Sequence, residues 1–503
     1  MNSMKERLFI RLHTGAGPYR RGALLLGGFS LWQKPFVPFL FSAFFCLLVF
    51  CTGCALKDPE PLESPPVLPE SWSAGMVMDG ELPENDWWRS FRSRGLEGLL
   101  EEALSASPDL TMAVERVMQA ESQLRITGAS LFPSLNLSGG SSWRRNWASG
   151  GKTASSESTN LSMGASYEVD VWGKVAADMR ASGALLHMAE YDRDAVRLSL
   201  MAGVASGYFQ VLALEERLQI SRSNLAIARR VLAFVESRHR HGSATELDLK
   251  RQQSAVLSQE STLLSLEEQY RQQRSALAIL VGRQPQSFDP GTEAFREIII
   301  PQVTAYMPSE LLLRRPDIAR AEAQLAASAA SVTIAKTAFL PSFQLSGSGG
   351  LASTALVSLA SPDGSLSLSA AIAQTIFDGG RRKNQVAAAE SRLREQVESY
   401  RKSILTALKE VEDGLNRADF SGRQMSLQQA IEEKAARSLV LAELRYREGA
   451  DDLLTLLEAQ RSLFQAKDQM VQLRLGRLDA ALDLYRVLGG GWERGGGEIY
   501  QGL

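Results

Sequence analysis

Two histidines separated by one residue, His239 and His241 in "RHRHG", are the first candidates for chemistry, because imidazole nitrogens bind transition metals. No cysteine or paired acid stands beside them at ligand spacing. They read as a solvated turn between helices, and no metal site is expected. "GGGWERGGG" at 489–497 is glycine-rich, as phosphate-cradling loops are. It lacks the strand–loop–helix context and the lysine such a loop needs, so it reads as a flexible tail. No serine, cysteine or threonine accompanies a base in a nucleophilic arrangement. The residues do not make an enzyme, and no cofactor is expected.

The thiols point elsewhere. All three cysteines, Cys46, Cys51 and Cys54, lie within the first 54 of 503 residues, so no disulfide framework serves the rest of the chain. Basic residues (Lys5, Arg7, Arg11, Arg20, Arg21, Lys34) precede an apolar run from Phe36 to Phe50. That run is about half of the ~20 residues a spanning helix requires, and it reads as a signal peptide. It ends in "CTGCAL", where small Gly53 precedes Cys54. The sequence resembles a bacterial lipoprotein cleavage box, which would make Cys54 the acylated N-terminus, held in the membrane by its acyl chains. By the same resemblance Ala55, in place of aspartate, favours the outer membrane.

The net charge of −2 offers no basic footprint, and a nucleic-acid partner is not expected. A composition rich in Ala, Leu, Gln, Glu, Arg and Ser, with 18 prolines, favours long helices. A repeat organises them. "SPDLTMAVERVMQAESQLRITGASLFPSLNLSG" (107–139) returns as "RPDIARAEAQLAASAASVTIAKTAFLPSFQLSG" (315–347), at an offset of 208. At an offset of 207, Arg238, Arg240, Gly242, Leu247, Leu249 and Gln253 map onto Arg445, Arg447, Gly449, Leu454, Leu456 and Gln460. Such a period is far longer than the ~20–50 residues of a solenoid. A domain-sized unit has been duplicated.

Within each half the periodicity changes in the same order. A helix (96–130, 316–338) ends at Pro133 or Pro341, and alternation begins. In "NLSMGASYEVDVW" the odd positions Leu161, Met163, Ala165, Tyr167, Val169 and Val171 are apolar and the even ones mostly polar or small. "SFQLSGSGGL" and "SLSLSAAIAQTIF" repeat the pattern. Period two predicts strands with one apolar face at 134–147, 159–172, 342–352 and 365–377. Trp143, Trp147, Tyr167, Trp172 and Phe377 near their ends are suited to an interfacial girdle. Each pair then leads into ~67 residues without proline, Gly173–Arg240 and Gly379–Arg447, on the order of 100 Å of helix. Apolar residues spaced by three and four (Leu463, Ala466, Met470, Leu473, Ala480, Leu484, Val487) predict a returning helix in coiled-coil contact. Gly242 and Gly449 mark the hairpin tips.

Four strands cannot close a barrel, and an open edge in lipid leaves backbone groups unpaired at several kcal/mol each. Either the strands avoid the membrane or several chains pool them; three chains would supply about twelve strands, a size known for outer-membrane barrels.

"LLLRRPDIARAEAQLAASAASVTIAKTAFLPSF" (311–343), "QTIFDGGRR" (374–382), "RYREGADDLLTLLEAQRSLFQAK" (445–467) and "DWWRSF" (86–91) carry a resemblance to the outer membrane factors of the TolC and OprM type, in their lipoprotein branch. These are exit ducts of tripartite efflux pumps and type I secretion systems. The resemblance implies a mainly helical α+β chain. It further implies a homotrimer with a twelve-stranded β-barrel in the outer membrane of a Gram-negative bacterium and an α-barrel in the periplasm. The implied partners are outer-membrane lipids, a periplasmic adaptor (membrane fusion) protein and an inner-membrane transporter, expected to be proton-driven. By motif, the polar links that close the periplasmic end fall on Tyr446, Asp451, Thr455 and Glu458, and Asp452 joins them as an expected lumen-facing gate residue. The tips at Gly242, Ser243, Gly449 and Ala450 are the expected adaptor contacts. A ring of acids contributed by three chains would favour cations.

The expected organisation is a signal peptide (1–53), an anchored strap (54–94), a first half (95–284), an equatorial linker (285–310), a second half (311–489) and a tail (490–503). A periplasmic coiled-coil spacer would share the helices but needs no strand pairs. A protein-secretion duct shares the whole plan and stays open as the alternative cargo.

Overall fold

The computed structural model describes residues 68–73, 84–147, 153–291, 293–305, 307–359 and 361–494, all within one unit of the chain. The signal peptide and Cys54 lie outside the described residues. Among the described residues, seven α-helices and four strands give the order helix–strand–strand–helix–helix twice, with one further helix at the start: α1 (Arg94–Ala106), α2 (Pro108–Ala129), β1 (Ser134–Trp147), β2 (Thr153–Val169), α3 (Lys174–Arg240) and α4 (Glu246–Val281), then α5 (Pro316–Thr337), β3 (Ser342–Ser353), β4 (Asp363–Ala373), α6 (Arg381–Arg447) and α7 (Leu453–Val487).

The first expected helix is two. Pro108 has no amide proton to offer and pushes Ser107 to an extended backbone (φ −66°, ψ 125°), so α1 stops and α2 starts with proline in its first turn. Ser93 caps α1 by accepting from Leu96 N at 3.1 Å. Both long helices run 67 residues and both returning helices about half that, 36 and 35. Gly282 (φ +85°) and Gly489 (φ +89°) end α4 and α7 in left-handed conformations. A Cβ at either would run into the carbonyl of Ala106 or Arg314, so glycine is required twice at equivalent places.

The strands form one antiparallel sheet in the order β1-β2-β3-β4. β2 begins at Thr153 and ends at Val169, and β4 ends at Ala373, so the second strand of each pair starts and stops earlier than alternation suggested. Trp172 therefore lies in a turn, where its indole N–H donates to Pro341 O at 2.6 Å, and Phe377 stands beyond the sheet. Register aligns the two faces. Leu137 opposes Met163, Leu161 opposes Leu351, and Phe343 opposes Ile372 on one face. The other carries paired hydroxyls, Ser138–Ser162 and Ser346–Ser369, at 2.8 and 2.7 Å. Leu366 and Leu368 on the apolar face are 90% and 91% exposed, so no described residue covers them. β1 and β4 each leave an edge unpaired.

The main core gathers where α1, α3, α4 and α7 meet the 3-10 turn Trp87–Phe91. Trp87 stacks on Tyr485 at 5.2 Å, and Phe91 packs on Phe209 at the same distance. α3 holds an apolar stretch long enough to span a membrane, but 67% of it is buried in this core. α7 is sandwiched between α6 and α3, which buries Val471, Leu478, Leu482 and Tyr485 besides Ala466, Ala480, Leu484 and Val487 of the expected stripe, while Leu463, Met470 and Leu473 are half-buried. The segment between the halves is held by Arg474, which donates to Arg296 O at 2.8 Å and Ile298 O at 2.6 Å. The start of the expected tail is likewise held: Trp492 Nε1 donates to Asp194 at 3.0 Å, and Arg494 pairs with Glu322. The remainder, 495–503, lies outside the described residues.

Candidate functional site at the hairpin tips

Both long helices turn back through the same backbone device. At the first tip Gly242 (φ +74°) donates to His239 O and Ser243 N to Arg238 O, each at 2.9 Å. At the second, Gly449 (φ +76°) donates to Tyr446 O at 3.2 Å and Ala450 N to Arg445 O at 2.8 Å. These are paired Schellman closures, and the positive φ at the fifth residue explains the glycine in each. Ser243 adds a side-chain bond to Arg238 O at 3.0 Å. His239 and His241 spend their Nδ1 atoms on Ala244 O and Ser237 O, at 3.1 and 2.7 Å. Among the described residues no group of three or more His, Cys, Asp or Glu could hold a metal ion.

The returning helices are capped by one motif with its partners exchanged. Thr245 Oγ1 accepts from Asp248 N at 3.1 Å, and Asp248 accepts in return from Thr245 N at 3.1 Å, a capping box. At the second tip the acid comes first: Asp452 accepts from Thr455 N at 3.0 Å and Thr455 Oγ1 at 2.8 Å. These bonds hold the Asp452 carboxyl below the usual carboxylate range.

Beneath the tips the halves meet in a small core of Val235, Leu439, Ala442, Tyr446, Leu453 and Leu456. Tyr446 is buried there, edge-on to Phe234 at 5.9 Å. Asp451 receives two hydrogen bonds from Arg445, at 2.7 and 2.8 Å, and lies below the usual carboxylate range for that reason. Glu458 is exposed on α7, two turns from the tip. The expected gate residues thus fall into three environments within one chain: Tyr446 in the inter-hairpin core, Asp451 and Asp452 in the turn, Glu458 on an open helix face. Pro133 and Pro341 each precede the first residue of a strand. Arg445 entered the sequence reading only as a repeat position, and Phe234 and the Thr245–Asp248 cap did not enter it; the 207-residue offset, which aligns Thr245 with Asp452, was the signal that could have found the cap.

The geometry suits a mechanical and electrostatic role at a helical end.

Comparison with known proteins agrees with that geometry. The family description "outer membrane efflux protein" matches residues 99–283 and again 307–490, the two halves of the repeat. The pyoverdine export outer membrane protein OpmQ of Pseudomonas aeruginosa is 41% identical over 460 residues, covering 89% of this chain and 96% of that protein. SilC of Salmonella typhimurium, a probable outer membrane lipoprotein, is 30% identical over 447 residues, covering 88% and 96%. The open-state crystal structure of the MtrE outer membrane channel of Neisseria gonorrhoeae superimposes with a TM-score of 0.76 at 27% identity, covering 88% of this chain and 99% of that one.

Proposed function

Since the chain belongs to the outer membrane efflux protein family, we infer that it acts as the outer-membrane exit channel of a tripartite efflux system. It conducts substrate passively from a periplasmic adaptor and an inner-membrane transporter to the exterior, and it performs no catalysis. The observation that carries this reading is the sheet: one apolar face, one hydroxyl face, and two unpaired edges on β1 and β4.

The finer reading follows from that sheet. Open edges in lipid are too costly to leave, so β1 of one chain pairs with β4 of the next. Three copies close a barrel of about twelve strands with serines inside and leucines against lipid. The same symmetry brings α3–α4 and α6–α7 of three chains into a periplasmic tube. Its lower end is the gate, built from Tyr446, Asp451, Asp452 and Glu458, with Gly242, Ser243, Gly449 and Ala450 presented to the adaptor. Pro133 and Pro341 turn the chain from periplasmic helix into membrane strand. The same plan keeps 95–284 and 311–489 as the two halves, with 285–310 as the linker between them. Cys54, acylated after removal of 1–53, anchors the strap 54–94; likeness to a probable lipoprotein supports this. The inner-membrane partner is a proton-driven transporter of small molecules, and similarity to OpmQ favours a pyoverdine-like cargo.

The test is fractionation with heat-modifiable electrophoresis. A detergent-requiring outer-membrane species that runs as a trimer unheated and as a monomer after boiling is expected. Release without detergent as a monomer sinks the channel reading. Deletion of the gene should lower the exported small product in the medium without altering secreted protein; loss of a secreted protein instead would favour the protein-secretion duct.

A further inference from the structure

Toward the end of the sheet farthest from the helices, the apolar face turns polar. Ser141 opposes Thr159, with their hydroxyls 3.0 Å apart, and in the next row Trp143 opposes Glu157. All four belong to the same face as Leu137, Leu161 and Met163. Hydroxyls and a carboxylate facing hydrocarbon are costly unless they are hydrogen-bonded.

The connection that follows β3 meets that requirement. It folds back across β2 and β1 on this face. Thr159 Oγ1 donates to Ala355 O at 2.8 Å, Val357 N donates to Ser141 Oγ at 3.1 Å, and Leu356 N donates to Glu157 Oε2 at 3.3 Å. The backbone of 355–357 is thereby bonded to the polar row. The side chains it carries are apolar: Leu356 is 44% exposed and Val357 81% exposed. Val357 also has φ +55°, a left-handed conformation that a β-branched residue adopts only under constraint.

We propose that residues 354–359 form a collar seated in membrane lipid, which covers the polar row and presents Leu356 and Val357 to acyl chains beside Trp143. The collar extends the apolar wall by one level, to where Trp143 and Trp147, 56% and 74% exposed, supply amphipathic rings suited to a lipid–water boundary. Its occupant is lipid because the surface is continuous with the apolar face below it. This inference rests on the assignment of that face to lipid.

The experiment is nitroxide accessibility in the full chain reconstituted into phospholipid vesicles. Labels are placed through Val357→Cys, through Leu356→Cys as a second collar site, and through Leu368→Cys on the apolar face of β4. The wild-type chain labelled in parallel gives the background, and heat-modifiable electrophoresis confirms assembly of each variant. Collisions with oxygen are expected to exceed those with a water-soluble nickel chelate at all three sites. A lipid-like signal at 368 with nickel access at 356 and 357 overturns the collar and spares the channel. Exclusion of both reagents at 356 and 357 assigns the loop to a neighbouring chain and also overturns it. Nickel access at 368 overturns the lipid-facing wall, and the collar with it.

Discussion

Arg238 in the first hairpin lies over the ring of Tyr446 in the second, its guanidinium carbon 5.4 Å from the ring centroid. The repeat makes Arg238 the counterpart of Arg445, which instead binds Asp451 within its own turn. The difference has a local cause: Ala244 occupies the position of Asp451 in the first hairpin, so Arg238 has no acid there. One substitution between copies has turned a turn-closing arginine into a bridge between hairpins.

Removing the ring should loosen both tips together. Tyr446→Ala deletes a buried aromatic from a small core, a change of about 3 kcal/mol, at the low end for such truncations. Amide exchange in 231–257 and 439–463 should then accelerate by roughly 100-fold. Tyr446→Phe keeps the packing and should stay close to wild type. In planar bilayers, the gate reading expects Tyr446→Ala to raise single-channel conductance. Equal exchange in both variants would show that the ring does not join the hairpins.

The Arg445–Asp451 pair gives the second tip an acid dependence. Asp451 is held below its ordinary pKa by the hydrogen bonds of Arg445, a shift that its small desolvation only partly opposes. A lowered folded pKa stabilises above the unfolded value, about 3.9, and that contribution disappears as pH falls through the folded value. Protection of amides 445–455 should therefore be flat from pH 7 to about 4 and drop below it. Asp451→Asn should shrink the drop to the part that the lowered Asp452 cap contributes, as followed by exchange or by a spin label at the tip.

The sequence made these halves legible where periodicity was strong and left them obscure where one residue type serves several environments. The long helices could be read because 67 residues lack proline, and the tips because only glycine suits their φ. The apolar pattern runs on across Ser107, and the Pro-Asp pair that follows it marks the start of α2, as its counterpart marks the start of α5. The ends of β2 and β4 were misplaced because alternation continues into the turn as far as Trp172 and Phe377. At the tips, Asp451 and Asp452 are adjacent identical acids. One closes an ion pair and the other caps a helix, a distinction made by three-dimensional reach. The seat of the loop at 354–359 left no local trace in the sequence, since its partners lie about 200 residues away.

Arg315 should be the most sensitive charge in the second half. It is 5% exposed, and it donates to Asp317 at 2.9 and 2.7 Å, to Glu410 at 2.7 Å and to Val487 O at 2.9 Å. Burial of Asp317 alone would raise its pKa, yet the hydrogen bonds and charge of Arg315 hold it low. Its counterpart in the first half is Ser107, so the device is not shared. Arg315→Ala removes the buried donor shared by Asp317, Glu410 and the Val487 carbonyl, while Ile318 N still serves Asp317 and both acids keep access to water, a cost of about 1.5–3 kcal/mol. Arg315→Lys cannot reproduce the fork and should recover only part of it. The midpoint of thermal unfolding measures both; no change in Arg315→Ala would refute the assignment.

Asp479 should make the helical body slightly less stable as pH rises. It sits on α7 and accepts from Ser206 of α3 at 2.8 Å. Burial pushes its carboxyl above the ordinary range; the hydrogen bond from Ser206 opposes this, neighbouring Asp483 reinforces it, and Arg417 partly offsets it. A raised folded pKa stabilises fully below the unfolded value, about 3.9, and that contribution is lost as pH climbs through the folded value. Asp479→Asn keeps an oxygen for the Ser206 hydroxyl and removes the buried charge. The variant should match wild type at pH 4 and exceed it at pH 8, by roughly 1–2 °C per kcal/mol in a chain of this length. Thermal unfolding across pH 4–8 measures the difference. A variant less stable at pH 8 would mean that the ionised carboxylate, through Ser206 and Arg417, holds α3 against α7.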